Sequence, residues 1–375
     1  MTRDLLVSAW AWLKADTPHS DSQSRRAQSG QALTGSVQGF GAALTGYDRS
    51  VRVLIWDVHG GYSDALLHVP HQFWYCRDDT LGQLGSLTAN GLGRRRDDRP
   101  ANAAEVTIEQ LRDDPPDIVI AQRLEEVDAL ECLLRRRPGR DFGAVFLEHN
   151  TPKGGVPDSR HPLADQQVWH LVHVTHFNRH FWDCGNASTR VIEHGLPDPG
   201  HRYTGELDRL AFVVNEPVRR WRTTGTDLLP AFGDIAIDAF GIDGDRLPST
   251  LGSSCPRLSF GGNLSPAELD DAVARRRGYL HLTRWTSLGL SLINSMMLGL
   301  PVIAFGTTEA FRAVPPTAGV CSTDLAELAA AANLVSRDRA QARAWGEAGR
   351  VHALQRFSLD RFVHAWNACL SDVAG

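Results

Sequence analysis

One short loop, Glu148-His149-Asn150-Thr151-Pro152-Lys153-Gly154-Gly155, follows an apolar run and gathers an acid, an imidazole, an amide, an amine and two glycines. Such groups at the end of a buried strand can hold and orient a polar ligand. His149 is the candidate catalytic residue, with Asn150 and Lys153 beside it. A lone histidine is more commonly structural, so both readings of His149 stay open. A second cluster, Arg219-Arg220-Trp221-Arg222-Thr223-Thr224-Gly225, puts three arginines between a strand end and a helix start. Guanidinium groups pair bidentately with phosphate oxygens, which makes the cluster a candidate pyrophosphate clamp; the alternative is a solvated loop. A third candidate is the helix that opens after Gly289. Its unpaired N–H groups and positive dipole end suit a phosphate, although an ordinary strand–helix–strand unit explains the same stretch. Gly60-Gly61, at the end of the first apolar run, fits either a close approach to a ligand or a tight turn.

These groups need a scaffold that brings strand ends to one edge. Short apolar runs predict strands at 51–56, 117–121, 143–147, 171–175, 190–193, 210–214, 235–240, 257–260, 278–282 and 301–305. Between them, helices are expected over 125–137, from Pro266 to Arg277, over 290–298, and then at 324–335, 338–356 and 359–373. Residues 63–76 fit a helix or a pre-helical loop interrupted at Pro70. Ser265-Pro266-Ala267-Glu268 is a capping box with proline at the first helical position. Strand–helix alternation on both sides of residue 205 predicts α/β architecture, with two facing doubly wound parallel-sheet domains over 51–205 and 206–375. The second domain includes the closing helices. Residues 1–50 form an N-terminal extension whose Ser-, Gln- and Gly-rich part, 17–50, reads as a loosely attached arm.

Composition narrows the classes. The chain has 375 residues, 42% of them hydrophobic, and a net charge of −5. That length suits two cores, and the charge gives no reason to expect a nucleic-acid partner. Six cysteines without short metal-type spacing point to a reduced, cytoplasmic chain with no metal site. The N-terminal segment makes a poor signal peptide, and no run is long enough to span a bilayer. Arginine runs at 94–96 and 135–137 read as solvated faces, with peripheral contact to anionic lipid as the minority reading.

The stretch Ser287-Leu288-Gly289-Leu290-Ser291-Leu292-Ile293-Asn294-Ser295-Met296-Met297-Leu298-Gly299-Leu300-Pro301-Val302-Ile303-Ala304 resembles the donor-site signature of family 4 (group 1) glycosyltransferases. The Gly-Leu, Met, Gly and Pro-Val-Ile-Ala positions match in register. Gly60-Gly61, His149, the stretch Val191–Asp198 and the closing Phe357-Ser358-Leu359-Asp360 are similar to further segments of that family. The resemblance implies the GT-B fold of two Rossmann-like domains and a retaining, metal-independent transfer from a nucleotide-diphosphate sugar. It requires no cofactor. Its acceptor is a glycan, lipid or small molecule, and the donor side comprises Arg219, Arg222, Thr286, Leu288, Gly289, Leu290 and Asn294. Gly60, Gly61, Asn150 and Lys153 fall on the acceptor side.

Two departures stand out. Thr286 and Asn294 occupy the places of two family glutamates, and Thr224 stands at a family lysine, for which Arg222 is the substitute. A catalytically weakened relative that binds a nucleotide sugar or glycan as a sensor or partner subunit is therefore the alternative reading. An epimerase or phosphorylase of the same architecture is a third. A Rossmann oxidoreductase is disfavoured, because no Gly-x-Gly-x-x-Gly follows an opening strand.

Overall fold

A computed structural model of the chain describes residues 50–56, 58–76, 100–156 and 158–375. Apart from Ser50, the expected N-terminal arm lies outside the described residues, as does the arginine run at 94–96. The first domain is wound from β1 (Arg52–Ile55), α1 (Gly60–Leu66), β2 (Gln72–Cys76), β3 (Ala103–Val106), α2 (Ile108–Asp113) and β4 (Ile118–Ala121). It continues through α3 (Leu124–Leu134), β5 (Gly143–Glu148), β6 (Trp169–His173), α4 (His176–Phe181) and β7 (Thr189–Val191). Every pairing is parallel, in the order β3-β2-β1-β4-β5-β6-β7. The chain leaves β1 towards β2 and β3, then returns to β4 on the other side of β1. This reversal opens a crevice at the carboxyl ends of β1 and β4.

The second domain repeats the device. Its elements are β8 (Leu207–Val213), α5 (Trp221–Thr224), β9 (Ile237–Phe240), α6 (Leu247–Leu251), β10 (Leu258–Gly262), α7 (Pro266–Ala274) and β11 (Arg276–His281). After these come α8 (Leu290–Leu298), β12 (Val302–Phe305), α9 (Ala310–Ala313), β13 (Gly319–Ser322), α10 (Leu325–Arg337), α11 (Arg339–Phe357) and α12 (Leu359–Ala374). The parallel order is β10-β9-β8-β11-β12-β13, so the crevice falls between β8 and β11.

Several boundaries differ from the expected ones for local reasons. The stretch 63–76 divides into a helix that stops before Pro70 and an unexpected strand, β2. Gly60 and Gly61 are the first turn of α1. Helix α3 ends at Leu134, short of its arginines, because Arg135 adopts a left-handed conformation (φ 55°). Helix α7 keeps its box, with Glu268 Oε2 accepting from Ser265 N, but ends at Ala274. Arg276 is already in β11, where Asp238 Oδ2 receives its Nη2 at 2.8 Å. Arg277 is buried and donates to the carbonyls of Gly205 and Ser336.

Helix α12 packs on the first sheet, although its sequence position places it with the second. Phe362, Trp366, Cys369 and Leu370 join the core formed by α1 and the β1, β4 and β5 strands. Trp366 is fully buried and donates its indole N–H to Tyr62 Oη at 2.9 Å. A second tie lies nearer the cleft. Glu309, 1% exposed, accepts the Phe177 backbone N–H through Oε2 at 2.8 Å. Its Oε1 receives Arg312 at 2.9 Å and Arg356 at 3.1 Å. Arg356 also binds Glu193 Oε1, through Nε at 3.0 Å.

Both ties are testable by equilibrium urea denaturation. Trp366→Ala is expected to cost about 3–5 kcal/mol through the cavity it leaves. Trp366→Phe, which mainly removes the N–H, should cost roughly 1 kcal/mol. Glu309→Ala leaves the Phe177 N–H without its acceptor and Arg356 with Glu193 as its carboxylate, and should lose about 1–3 kcal/mol. Glu309→Gln, which keeps an acceptor, should lose less.

Candidate active site

The second-domain crevice holds a cavity of about 190 Å³ whose lining includes Asn215, Arg220, His281, Thr286, Gly289 and Ser291. One wall is the opening of α8. Gly289 is its N-cap, and no side chain caps it; the Leu292 N–H turns back to the Gly289 carbonyl at 3.0 Å, and the N–H groups of Leu290 and Ser291 have no partner among the described residues. A side chain at 289 would crowd the site: a Cβ there lies 3.0 Å from the His281 ring, which would have to give way. His281 is buried, and burial lowers its pKa to about 4, so its ring is neutral near pH 7.

The opposite wall is the turn after β8. Glu216 takes a left-handed conformation (φ 53°), and Arg219 grips its carboxylate bidentately at 2.7 and 2.6 Å. Arg222 is spent on Asp227 at 2.8 Å, and Arg284 binds the same carboxylate with both terminal nitrogens. Arg219 and Arg222 therefore brace the loop and do not line the cavity. Arg220, half-buried, does line it, and its guanidinium makes no hydrogen bond or ion pair with any of the described residues. The composition of the run showed that a cation was present; its phase was set by the left-handed residue 216, which sequence spacing did not reveal.

The remaining donor-side residues divide. Thr286 lines the cavity. Leu288 is 6% exposed and belongs to the hydrophobic core of the second domain. Asn294 lies one turn into α8, off the cavity lining, and donates Nδ2 to Asp270 Oδ1 of α7 at 2.6 Å. Leu290 reaches across the cleft: a Cβ built on Gly61 would sit 3.1 Å from its Cδ1. The Gly60-Gly61 turn and the donor-side helix thus approach each other closely, which a larger residue at 61 would obstruct.

On the first domain, His149 sits at the carboxyl end of β5, 9% exposed. Its ring centroid is 3.9 Å from that of His59 and 4.9 Å from that of Tyr62. Burial holds its pKa well below the ordinary value, with His59 and His194 adding to the shift, so the ring is neutral. Its tautomer follows from its neighbour. Gln122 spends its amide N–H on the Trp56 carbonyl at 2.5 Å, which leaves Oε1 facing His149 Nε2 at 2.9 Å. Nε2 must therefore carry the proton, and Nδ1 keeps the lone pair. Gln122, His59 and His194 were not singled out in the sequence; Gln122 directly follows the predicted strand at 117–121, at the same sheet edge.

Asn150 and Lys153 line a separate first-domain cavity together with Gln122 and Glu148. The loop that carries them is fastened to the second domain. Trp285 donates Nε1 to the Pro152 carbonyl at 2.9 Å and meets Phe177 edge-on at 5.6 Å between centroids. Among the described residues, no cluster of three or more His, Cys, Asp or Glu side chains has metal-binding geometry, and no helix is long and apolar enough to cross a membrane.

No family model and no curated protein matches the sequence. Solved structures do match. Sucrose-phosphate synthase from Thermosynechococcus elongatus superposes with a TM-score of 0.62 at 14% identity, over 86% of this chain and 99% of that one. A glycosyltransferase from Rickettsia africae gives 0.61 at 12% identity, over 87% and 99% of the two chains. HepE of Anabaena, solved in complex with UDP, gives 0.60 at 14% identity, over 86% and 100%. The chain has the fold of these proteins: the two-domain GT-B architecture of glycosyltransferases.

Buried histidines give the protein a defined acid sensitivity. Burial lowers His173 to about 3, with His161 and Arg179 adding to it, and lowers His194 and His281 to about 4. In the unfolded chain they protonate near pH 6.5, roughly their free value. Between that pH and about 4 the unfolded state binds more protons, so stability is full above 6.5 and falls as pH drops. Each contributes a slope of up to ~1.4 kcal/mol per pH unit. The melting temperature should fall from pH 6.5 to 4.5 at constant ionic strength, less steeply in His194→Leu. A flat profile would contradict the assignment.

Proposed function

We propose that the protein is a glycosyltransferase that moves a sugar from a nucleotide-diphosphate donor to an acceptor hydroxyl, with retention and without a metal. The observation that carries this reading is the β8/β11 cavity, where the free guanidinium of Arg220 meets the uncapped opening of α8. A departing diphosphate gathers negative charge as the anomeric C–O bond breaks. Arg220 and the first-turn N–H groups of α8 stabilise it electrostatically. The acceptor oxygen bonds to the anomeric carbon on the face the diphosphate leaves, and the hydroxyl proton departs with the diphosphate. No protein nucleophile is needed for that step. Neutral His149, with Nδ1 as acceptor, takes a hydrogen bond from a donor-sugar hydroxyl. Contact between Gly61 and Leu290 keeps the cleft narrow, which favours transfer over hydrolysis. The UDP complex of HepE makes uridine diphosphate the first donor nucleotide to try.

Thr286 and Asn294 favour a second reading, a nucleotide-sugar-binding subunit without turnover. Neither side chain brings charge to the donor side, and the Asn294 amide is engaged by Asp270.

Thermal-shift titration with UDP and UDP-glucose separates these from no function at all, since a ligand that binds the native state raises its stability. Arg220→Ala should weaken UDP binding roughly ten- to a hundredfold, the loss of a charge-assisted hydrogen bond. Arg219→Ala and Arg222→Ala should change it little. Incubation with a donor panel in EDTA, followed by NMR of the product anomer, then tests transfer, retention and metal independence. Binding without product would favour the second reading, and no shift with any nucleotide would sink both.

A further inference from the structure

We infer that the turn between α3 and β5 forms an anion site, on the sheet edge opposite the cleft, that takes a small soluble molecule carrying linked phosphates. The inference does not rest on the transferase reading. The turn lies at the amino ends of β4 and β5, whereas the crevices of both domains open at the carboxyl ends. Four of the six residues from 135 to 140 are arginine. Arg135, Arg136, Arg137 and Arg140 line a recess of about 390 Å³ together with Glu131 and Asp141, so four guanidinium groups stand against two carboxylates. That volume falls in the range of roughly 300–1,000 Å³ typical of ligand pockets.

Arginines beyond a helix end ordinarily bond its last carbonyls. Here the Leu133 carbonyl is already taken by Arg112 Nε of α2, at 2.8 Å. Arg136 gives one weak bond, 3.5 Å, to the Arg112 carbonyl. The guanidinium groups of Arg135 and Arg137 make no hydrogen bond or ion pair with any of the described residues. Arg140 is 75% exposed, and its ion pair is a long one, to Asp141 at 3.8 Å. Around the β8/β11 cavity, by contrast, Glu216 and Asp227 hold three of four arginines. The backbone closes this turn without help from the guanidinium groups. Asp141 Oδ2 accepts the Arg137 N–H at 2.8 Å, and the N–H groups of Arg140 and Asp141 return to the Arg137 carbonyl at 3.3 and 2.9 Å. Like charges held on one closed turn repel each other, and linked phosphates relieve that repulsion through bidentate pairs with several guanidinium groups at once.

The shape of the site favours a soluble molecule over a lipid surface. A second cavity, about 490 Å³, shares Arg140 and Asp141 with the first and continues past Arg52, Gln167 and His170. Arg52 is spent on Asp114 and Asp117, so the positive charge stays at the arginine end. Gln167 gives Nε2 to the Asn186 carbonyl at 2.9 Å, and His170 Nδ1 faces Ser188 Oγ at 3.2 Å. Gln167 Oε1 and His170 Nε2, without partners among the described residues, are left for hydroxyl groups. A recess with cations at one end and neutral hydrogen-bonding groups at the other suits a phosphorylated, hydroxylated molecule. A flat bilayer would reach the outer guanidinium groups and leave the recess empty.

Calorimetric titration of the full chain with inorganic tripolyphosphate, which carries the linked phosphates alone, tests this. The Arg220→Ala protein is used, so that the β8/β11 cavity does not contribute. Tripolyphosphate should bind at least tenfold more tightly than orthophosphate. Combined Arg137→Gln and Arg140→Gln substitution should weaken it at least tenfold through lost charge-assisted hydrogen bonds. Glu131→Gln, which removes an opposing charge, should strengthen it. All three side chains are exposed, and an unchanged melting temperature shows that each variant is folded. Co-sedimentation with vesicles of equal parts phosphatidylcholine and phosphatidylglycerol separates the two sources of phosphate. No tripolyphosphate binding, binding that survives the double substitution, equal affinity for orthophosphate, or preference for the vesicles would each overturn the inference. UDP affinity, measured on protein that keeps Arg220, should be the same with and without the double substitution; a change there would place the turn in the donor site and overturn it as well. Absence of UDP binding by the unsubstituted protein would remove the transferase reading and leave this site standing.

Discussion

The buried carboxylate of Glu309 fixes where the two halves of the site meet. Each half is built on its own sheet, and neither sheet dictates the other's position. Glu309, from the loop after β12, holds the first-turn N–H of Phe177 on α4 with one oxygen and Arg356 with the other. Arg356 in turn reaches Glu193, beyond β7. Two carboxylates, one guanidinium and one helix opening thus link both domains through groups almost closed to water. Pairs of this kind add little net stability, because desolvation offsets most of the attraction. Their value is geometric: any other arrangement of the domains takes the Phe177 N–H from Glu309 and Arg356 from Glu193. Trp285 on Pro152 and Leu290 against Gly61 then have a fixed relation across the cleft.

Around the β8/β11 cavity, the distribution of charge matters more than its amount. Arg219, Arg220, Arg222 and Arg284 cluster around one turn, and two carboxylates, Glu216 and Asp227, absorb three of them. Those ion pairs are partly or largely exposed, so each is worth little to stability. Their consequence is structural. They brace a turn with a left-handed residue, and the bracing leaves one guanidinium directed at the cavity. The neutral histidines complement this arrangement. Were His281 or His149 protonated, positive charge would be spread along both walls of the cleft, and Arg220 would no longer be the localised cation.

Much of this was legible in the sequence. Apolar runs ending in Gly, Asn or Arg clusters located most strands of both sheets, because parallel strands buried on both faces carry a continuous apolar signal. Strand β2 escaped because Gln72-Phe73-Trp74-Tyr75-Cys76 follows a proline and has no turn signal before it. The arginine-rich ends of α3 and α7 were over-extended, because charge at a helix end says nothing about the backbone conformation that stops it. Helix α12 was assigned by chain order, whereas its partner is set by the apolar face of α1, some three hundred residues away. At the site, residue types were readable but directions were not. Arg219 and Arg222 are held by Glu216 and Asp227, and Gln122 is set against His149 by partners that no spacing could indicate.

Asn294 shows how far such a departure can be reconciled with donor binding. In the register of the signature it replaces an acid, which suggests a lost contact. Yet its Nδ2 is held by Asp270 at 2.6 Å, and an amide anchored through its nitrogen presents its carbonyl oxygen elsewhere. Desolvation raises the Asp270 pKa, while the bond from Asn294 favours its charged form. The helix pair α7–α8 therefore holds an acidic group and the Asn294 amide against each other, off the cavity lining. Thr286, by contrast, lines the cavity with only a hydroxyl, and none of the described residues makes a hydrogen bond to it, so the departure from the family pattern that reaches the cavity is the one at 286.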